Sequence, residues 1–261
     1  MSNLIEEAEL RVYACGLLVE GTIAMGLPHV VSVTAQLLFH KYMSVNMDHM
    51  DSRNVVVPAM ASFWLATKVE ECAGVQIRDV IGAFYKILRK RKGLVFEEGE
   101  TNTSGDIDII SEGYNSFKKA LVLEEKHLLV AIGFDIYAFL DAHNPHRYAL
   151  YVVAVLKGSN ELAQSTWNYL NGCAHLDICL RYSPRAVVAA AIYLAGRTIS
   201  YPLPMEPHPW WAILLESEEE LLTAANDIMA VYKVERKQWI EPCAPKDESL
   251  QSRTFQTKWI M

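Results

Sequence analysis

The stretch Val57 to Gly74, Val-Pro-Ala-Met-Ala-Ser-Phe-Trp-Leu-Ala-Thr-Lys-Val-Glu-Glu-Cys-Ala-Gly, constrains the fold more than any other part of the chain. Pro58 suits the first turn of a helix, where its missing N–H is not needed, and Gly74 suits a left-handed stop beyond the end. The spacing predicts a helix of about four turns. From Ala59 to Ala66 every residue except Ser62 is apolar, so no side of this helix is left for water. Its small alanines allow neighbouring helices to come close. Such a helix belongs inside a bundle. At Lys68, Glu70 and Glu71 the character changes, with two carboxylates expected in the last turn, against the negative end of the helix dipole. The expectation is that something outside the chain stabilises them.

The flanking segments supply the rest of a bundle. Leu4 to Met25 carries Leu10, Tyr13, Ala14, Leu17, Leu18 and Ile23 near helical spacing, and His29 to Met43 carries Val30, Val33, Leu37, Leu38 and Tyr42. Gly26-Leu27-Pro28 separates the two. Met43 to Asn54 reads as a polar connection. Gln76 to Lys92 places Val80, Ile81, Phe84, Ile87 and Leu88 on one face, and Tyr114 to Gly133 continues through Phe117, Leu121, Leu128, Leu129 and Ile132 with Glu125 in its middle. Between these two, the acidic and polar residues Glu97 to Gly113 read as a flexible excursion. The basic run Lys86, Arg89, Lys90, Arg91 and Lys92 reads as a solvated helix end that complements the dipole, with a phosphate, RNA or import patch as the alternative.

The second half repeats the first. Ala163-Gln164-Ser-Thr-Trp167 matches Ala35-Gln36-Leu-Leu-Phe39, and Ala190-Ala-Ile-Tyr193-Leu194-Ala195-Gly-Arg197 matches Ala61-Ser-Phe-Trp64-Leu65-Ala66-Thr-Lys68. The two offsets agree within one residue. This predicts an all-α chain of two tandem five-helix units: residues 1–134, a linker over 135–145, residues 146–234, and a tail from 235 to 261. In the second unit helices are expected over Arg147 to Lys157, Glu161 to Cys179, Pro184 to Ser200 and Glu218 to Lys233. A short turn at Trp210 to Leu214 fills the core.

Composition and motifs exclude several classes. The chain has 261 residues and 24 basic against 31 acidic side chains, a net charge of −7, which argues against nucleic-acid binding. Five widely spaced cysteines, Cys15, Cys72, Cys173, Cys179 and Cys243, suggest neither a disulfide framework nor a zinc site. Glu6, Glu7 and Glu9 stand where a signal peptide needs a basic flank, and no stretch reaches membrane-spanning length, so no membrane partner is expected. His143-Asn-Pro-His146 is interrupted by Pro145, which breaks the helix a two-histidine metal site would need. Glu70-Glu71 and Glu218 to Glu220 are neighbours in sequence but point apart on a helix and make no acid/base dyad. No Gly-rich phosphate loop is present. The expectation is a protein that is not an enzyme and takes no metal or cofactor.

Two five-helix units whose third helices carry Ala-x-x-Trp/Tyr-Leu-Ala-x-Lys/Arg resemble the two cyclin boxes of a cyclin. The residues that carry the resemblance are Trp64 to Glu71, Ile77-Arg78-Asp79-Val80, Glu125 to Phe134, Thr166 to Asn171 and Tyr201 to Pro204, over about Leu4 to Lys233. Their order and spacing resemble those of transcription and splicing cyclins, the L type above all. The resemblance implies a nuclear regulatory subunit that binds and activates a cyclin-dependent Ser/Thr kinase. Its substrates would be the RNA polymerase II carboxy-terminal domain or splicing factors. Lys68 and Glu125 match the pair with which the family grips its kinase beside the C-helix. Leu65, Val69, Glu71, Cys72, Leu129 and Phe134 fall at neighbouring contact positions. Two departures stand out. No Arg-Ser-rich run follows Lys233, and Leu10-Arg11-Val12-Tyr13-Ala14 replaces the Met-Arg-Ala-Ile-Leu patch with which cell-cycle cyclins dock substrates. The alternatives are a cell-cycle cyclin and a general transcription factor of the TFIIB kind, which binds DNA with the same two-box fold. The acidic charge and the lack of a Cys-rich ribbon speak against the latter.

Overall fold

The computed structural model describes residues 2–46, 55–93 and 112–240, and side chains of these except 2–6 and 112–113. The expected excursion from Glu97 to Gly113, most of the connection before Asn54, and the tail beyond Ile240 lie outside the described residues or at their edges. Among the described residues all regular structure is helical: α1 (Ser2–Ala24), α2 (His29–Asn46), α3 (Val56–Val69), α4 (Ile77–Arg91), α5 (Glu112–Ile132), α6 (Ile136–His143), α7 (His146–Val155), α8 (Asn160–Cys173), α9 (Ile178–Arg181), α10 (Pro184–Thr198) and α11 (Glu218–Val231), with a 3-10 turn at Trp210–Ile213. They form two units, one of residues up to Phe134 and again from Glu235, the other of Asp135 to Val234. None of the helices is long and apolar enough to cross a membrane.

In the first unit α3 is the central rod, packed by α1, α2, α4 and α5. Its alanines Ala59, Ala61 and Ala66 are fully enclosed, as is Ser62, whose hydroxyl satisfies itself by donating to Pro58 O at 2.9 Å. Phe63 meets Phe84 of α4 edge to face at 5.2 Å, and both are completely buried. Gly21 of α1 makes this packing possible, because a Cβ there would stand 2.8 Å from the Phe84 ring. The α1 residues at the position of the cell-cycle docking patch face inward. Leu10, Arg11, Val12, Tyr13 and Ala14 are all buried, and the Arg11 guanidinium is held by Glu7 at 2.8 Å and donates to His40 Nδ1 at 3.1 Å. Since an arginine can only donate, the His40 proton sits on Nε2, toward the Cys15 sulfur at 3.4 Å.

The end of α3 departs from expectation. The helix stops at Val69, so Glu70 and Glu71 lie beyond it. Glu71 adopts φ +51°, with Cys72 N–H donating to Thr67 O at 2.9 Å and Glu71 N–H to Lys68 O at 3.2 Å, the Schellman closure that Gly74 was expected to mark. Gly74 is also left-handed, at φ +86°, but belongs to the following turn. The Glu70 carboxylate accepts the Thr34 hydroxyl of α2 at 2.6 Å, so its stabilisation comes from within the chain rather than from outside. At the end of α4 the basic run divides. Arg91 folds back onto α1, pairing with Glu20 at 2.9 Å and lying 4.8 Å over the Tyr13 ring, whereas Arg89 stacks on its own helix's Tyr85 at 5.6 Å.

In the second unit α10 takes the central place, and Ala186 through Ile192 are buried without exception. Serines before three of the unit's helices act as caps: Ser159, Ser183 and Ser217 accept the backbone N–H of Leu162, Ala186 and Glu220 at 3.1, 3.2 and 3.2 Å. Two expectations need correcting. The linker 135–145 contains α6, started by Asp135, whose carboxylate accepts Ala138 N–H at 3.1 Å, and carrying buried Phe139 and Leu140. The helix expected over Glu161 to Cys179 is two, because after Cys173 the backbone tightens into three-residue turns, His175 N–H to Gly172 O at 3.1 Å and Leu176 N–H to Cys173 O at 3.2 Å. The start of the expected tail, Glu235–Ile240, lies against the first unit. Lys237 pairs with Glu9 at 2.5 Å, and Trp239 lies 5.9 Å from the Lys92 ammonium.

Candidate protein-docking site

Lys68 leaves the last turn of α3 and Glu125 the middle of α5, and the structure joins them in an ion pair, Nζ donating to Oε1. The pair is lopsided. The Glu125 side chain is 11% exposed and the Lys68 side chain 45%. One turn before Lys68 on the same helix, Trp64 places its ring 4.8 Å from Nζ, so the ammonium rests between an aromatic face and a carboxylate. An ammonium has three donors, and Glu125 uses one. The remainder can serve carbonyls of a docked chain.

Glu125 lies about two turns before the end of α5. Gly133 and Phe134 both have positive φ, +72° and +64°, and the helix is closed by Phe134 N–H to Leu129 O at 3.0 Å. A left-handed phenylalanine costs about 1–2 kcal/mol relative to glycine there, and the ring gains no burial in return, being 67% exposed. Val122 and Val130 of the same helix are also exposed. Leu129, Val69 and Cys72 are half-buried and Glu71 is exposed. Leu65, expected among the contacts, is 4% exposed and belongs to the core beneath. Burial and the neighbouring Glu70 carboxylate push the Cys72 thiol above its ordinary range, which leaves it protonated and unreactive at neutral pH.

Sequence reasoning missed the polar contacts behind this surface. Tyr42 of α2 donates its hydroxyl to Glu124 at 2.5 Å, and His127 approaches the same carboxylate oxygen at 3.2 Å. Thr34 and Tyr42 lie within helical spacing on one broad side of α2. That spacing is the only sequence signal they carried. The histidines considered as metal ligands are otherwise engaged: His143 Nδ1 lies 2.8 Å from Phe139 O, and His146 Nε2 lies 3.0 Å from Asn171 Oδ1. Among the described residues no three His, Cys, Asp or Glu side chains converge as metal ligands would.

Comparison with known proteins places this geometry in a family. No family model matches the chain. Cyclin-L1 of Gallus gallus is 32% identical over 230 residues, 87% of this chain and 40% of that protein. Cyclin-L1 of Homo sapiens is 31% identical over 232 residues, 88% and 41% of the two. The chain is a cyclin, most similar to the L type. Cyclin-L1-1 of Oryza sativa subsp. japonica extends the similarity to 252 residues at 29% identity, 96% of this cyclin and 55% of its relative. This cyclin thus spans about half the length of the relatives it matches. A chain in the crystal structure of the yeast RNA polymerase II CTD kinase CTDK-1 complex shares its fold, with a TM-score of 0.65 at 16% identity over 89% of this cyclin and 72% of that chain.

Proposed function

We propose that this cyclin is the nuclear regulatory subunit of a cyclin-dependent Ser/Thr kinase acting in transcription or pre-mRNA splicing, and that its kinase docks on the α3–α5 surface around Lys68 and Glu125. The observation that carries the reading is the lopsided pair itself: a shielded carboxylate holds a half-exposed ammonium against the Trp64 ring. Apolar surface beside a fixed charge is how a docking site excludes water while its hydrogen bonds set register. Activation then needs no chemistry from the cyclin. A kinase is active when its C-helix glutamate meets the nucleotide-binding lysine and its activation loop is ordered, and a helical partner that binds this state preferentially raises its population. Substrates in the transcription or splicing machinery, at Ser/Thr-Pro sites, follow from the similarity to L-type cyclins.

The test is reconstitution. The purified cyclin is mixed with a panel of recombinant cyclin-dependent kinases, and phosphorylation of an RNA polymerase II repeat peptide is compared with that of a histone peptide. The expected result is stimulation of at least one kinase, with preference for the polymerase repeat. Stimulation with histone preferred and dependent on an Arg-x-Leu element would move the protein to the cell-cycle class. No stimulation of any kinase, together with firm retention on heparin, would favour the DNA-binding reading.

A further inference from the structure

The Lys68–Glu125 pair joins α3 to α5, and α2 makes short polar contacts to the residues around both members of the pair. Thr34 and Tyr42 are 1% and 5% exposed, so their hydroxyls work away from water. Thr34 donates to Glu70 at 2.6 Å and Tyr42 to Glu124 at 2.5 Å. Both bonds are to carboxylates and short, the stronger class of hydrogen bond. Each acceptor sits next to one member of the pair. Glu70 follows Lys68 by two residues, just past the helix end, and Glu124 immediately precedes Glu125. Successive residues on a helix diverge by about 100°, so fastening Glu124 to α2 leaves Glu125 turned toward α3. His127, one turn on, supports the same Glu124 oxygen at 3.2 Å.

We propose that Tyr42 and Thr34 are positioning residues for the docking surface: by holding Glu124 and Glu70 they turn Glu125 and Lys68 into register with each other, and so set the geometry that a kinase meets. This rests on the proposed reading of that surface. Tyr42 carries more of the effect, because Glu124 and Glu125 share one rigid helix, whereas Glu70 lies in a turn.

Two measurements on the full chain test it. In the free protein, nitrogen-detected NMR of lysine ammonium groups should show a sharp Lys68 signal. Tyr42→Phe, which keeps the ring and loses the hydroxyl, should broaden or remove it. Glu124→Ala should do the same, while Glu124→Gln, which keeps an acceptor, should restore it. With the kinase retained from the panel, Tyr42→Phe should weaken binding about fivefold. Its effect should shrink to within twofold in a Lys68→Ala background, since the two act through one contact. A Lys68 signal unchanged in Tyr42→Phe overturns the inference, as does a binding loss equal in both backgrounds. If Lys68→Ala alone leaves kinase affinity untouched, the docking reading fails instead. The NMR result then still decides the positioning claim.

Discussion

The helices that carry the repeated motif, α3 and α10, end alike and are equipped differently. Trp64 and Lys68 in one correspond to Tyr193 and Arg197 in the other, and Arg197 lies 5.8 Å over its own helix's tyrosine much as Lys68 lies 4.8 Å from Trp64. Both helices close on a left-handed residue that is not glycine, Glu71 at φ +51° and Ser200 at φ +55°. The next helix in each packing arrangement makes the difference. Matching the buried residues Leu121 and Leu128 of α5 to Leu221 and Ile228 of α11 sets Ala225 where α5 has Glu125. Arg197 accordingly donates to the Tyr193 hydroxyl at 3.2 Å, and among the described residues no carboxylate reaches it. The duplicated scaffold keeps the cation on both copies and the carboxylate that orients it on one. A fold can thus be repeated while a site is not.

The strongest way to break this comparison is charge reversal in both copies. Lys68→Glu should weaken kinase binding by 30-fold or more, about 2–5 kcal/mol for reversing a partly desolvated charged contact, with the helical fold kept by circular dichroism although the melting temperature falls, because Glu125 loses its partner. Arg197→Glu should stay within twofold of the wild type by surface plasmon resonance. Equal losses would mean that the two helices serve one binding mode after all.

A second contrast concerns stability. Arg91 is 11% exposed and joins α4 to α1 through Glu20 and Tyr13, whereas Arg181, paired with Asp177 and Asp227, is 45% exposed. In urea unfolding Arg91→Ala should cost about 1–2 kcal/mol, chiefly because it empties a packed site against Tyr13, the 45% exposed Glu20 being free to regain water. Arg181→Ala should cost less than about 1 kcal/mol, as exposed pairs do. A reversed order would show that the second unit, not the first, depends on its charges.

Alkaline titration sharpens the same point. Tyr13 and Tyr182 are both raised above the ordinary value of 10.0, chiefly by burial, with the Asp227 hydrogen bond adding to the rise at Tyr182. A raised folded value means that the native state holds the proton more tightly. Their contribution is therefore complete below pH 10 and is lost as pH climbs through the raised values. Tyr13→Phe should flatten this alkaline fall in stability more than Tyr182→Phe does, because Tyr13 is the more deeply enclosed. Equal flattening would contradict that ranking.

The smallest effect expected is shared. Glu71→Gly and Ser200→Gly each relieve a left-handed strain of about 1 kcal/mol and give part of it back through the freer unfolded chain. Differential scanning calorimetry should show a slight rise for both. A rise in only one would separate two helix ends that the sequence offset makes equivalent.

Much of this was legible in the sequence because it is periodic or punctuated. The buried α3 announces itself by having no polar face, and the helix starts at Ser159, Ser183 and Ser217 by local hydroxyl chemistry that needs no tertiary information. The pairing of Lys68 with Glu125 came from resemblance alone, since nothing in the spacing of residues 57 apart implies contact. The Thr34 and Tyr42 bonds were invisible for the same reason, spanning 36 and 82 residues. Helix α6 lies within the stretch expected as a linker because it is only eight residues long, although Asp135 before Ile136-Tyr-Ala-Phe-Leu140 is a cap before an apolar turn. The partner of Glu70 is not legible in the sequence because it lies on another helix.

The segment Glu235–Ile240 makes the first unit discontinuous along the chain, since the hundred residues of 135–234 stand between Phe134 and the piece that lies against α1 and α4. A ribosome adding about 5–20 residues per second needs several seconds to cross that interval. A first bundle that assembles within it stands uncovered at Glu9 and Lys92 while the second is still being made. Completion of the older unit therefore waits on the younger, and a nascent chain stalled within α10 or α11 would present a surface that the finished protein hides.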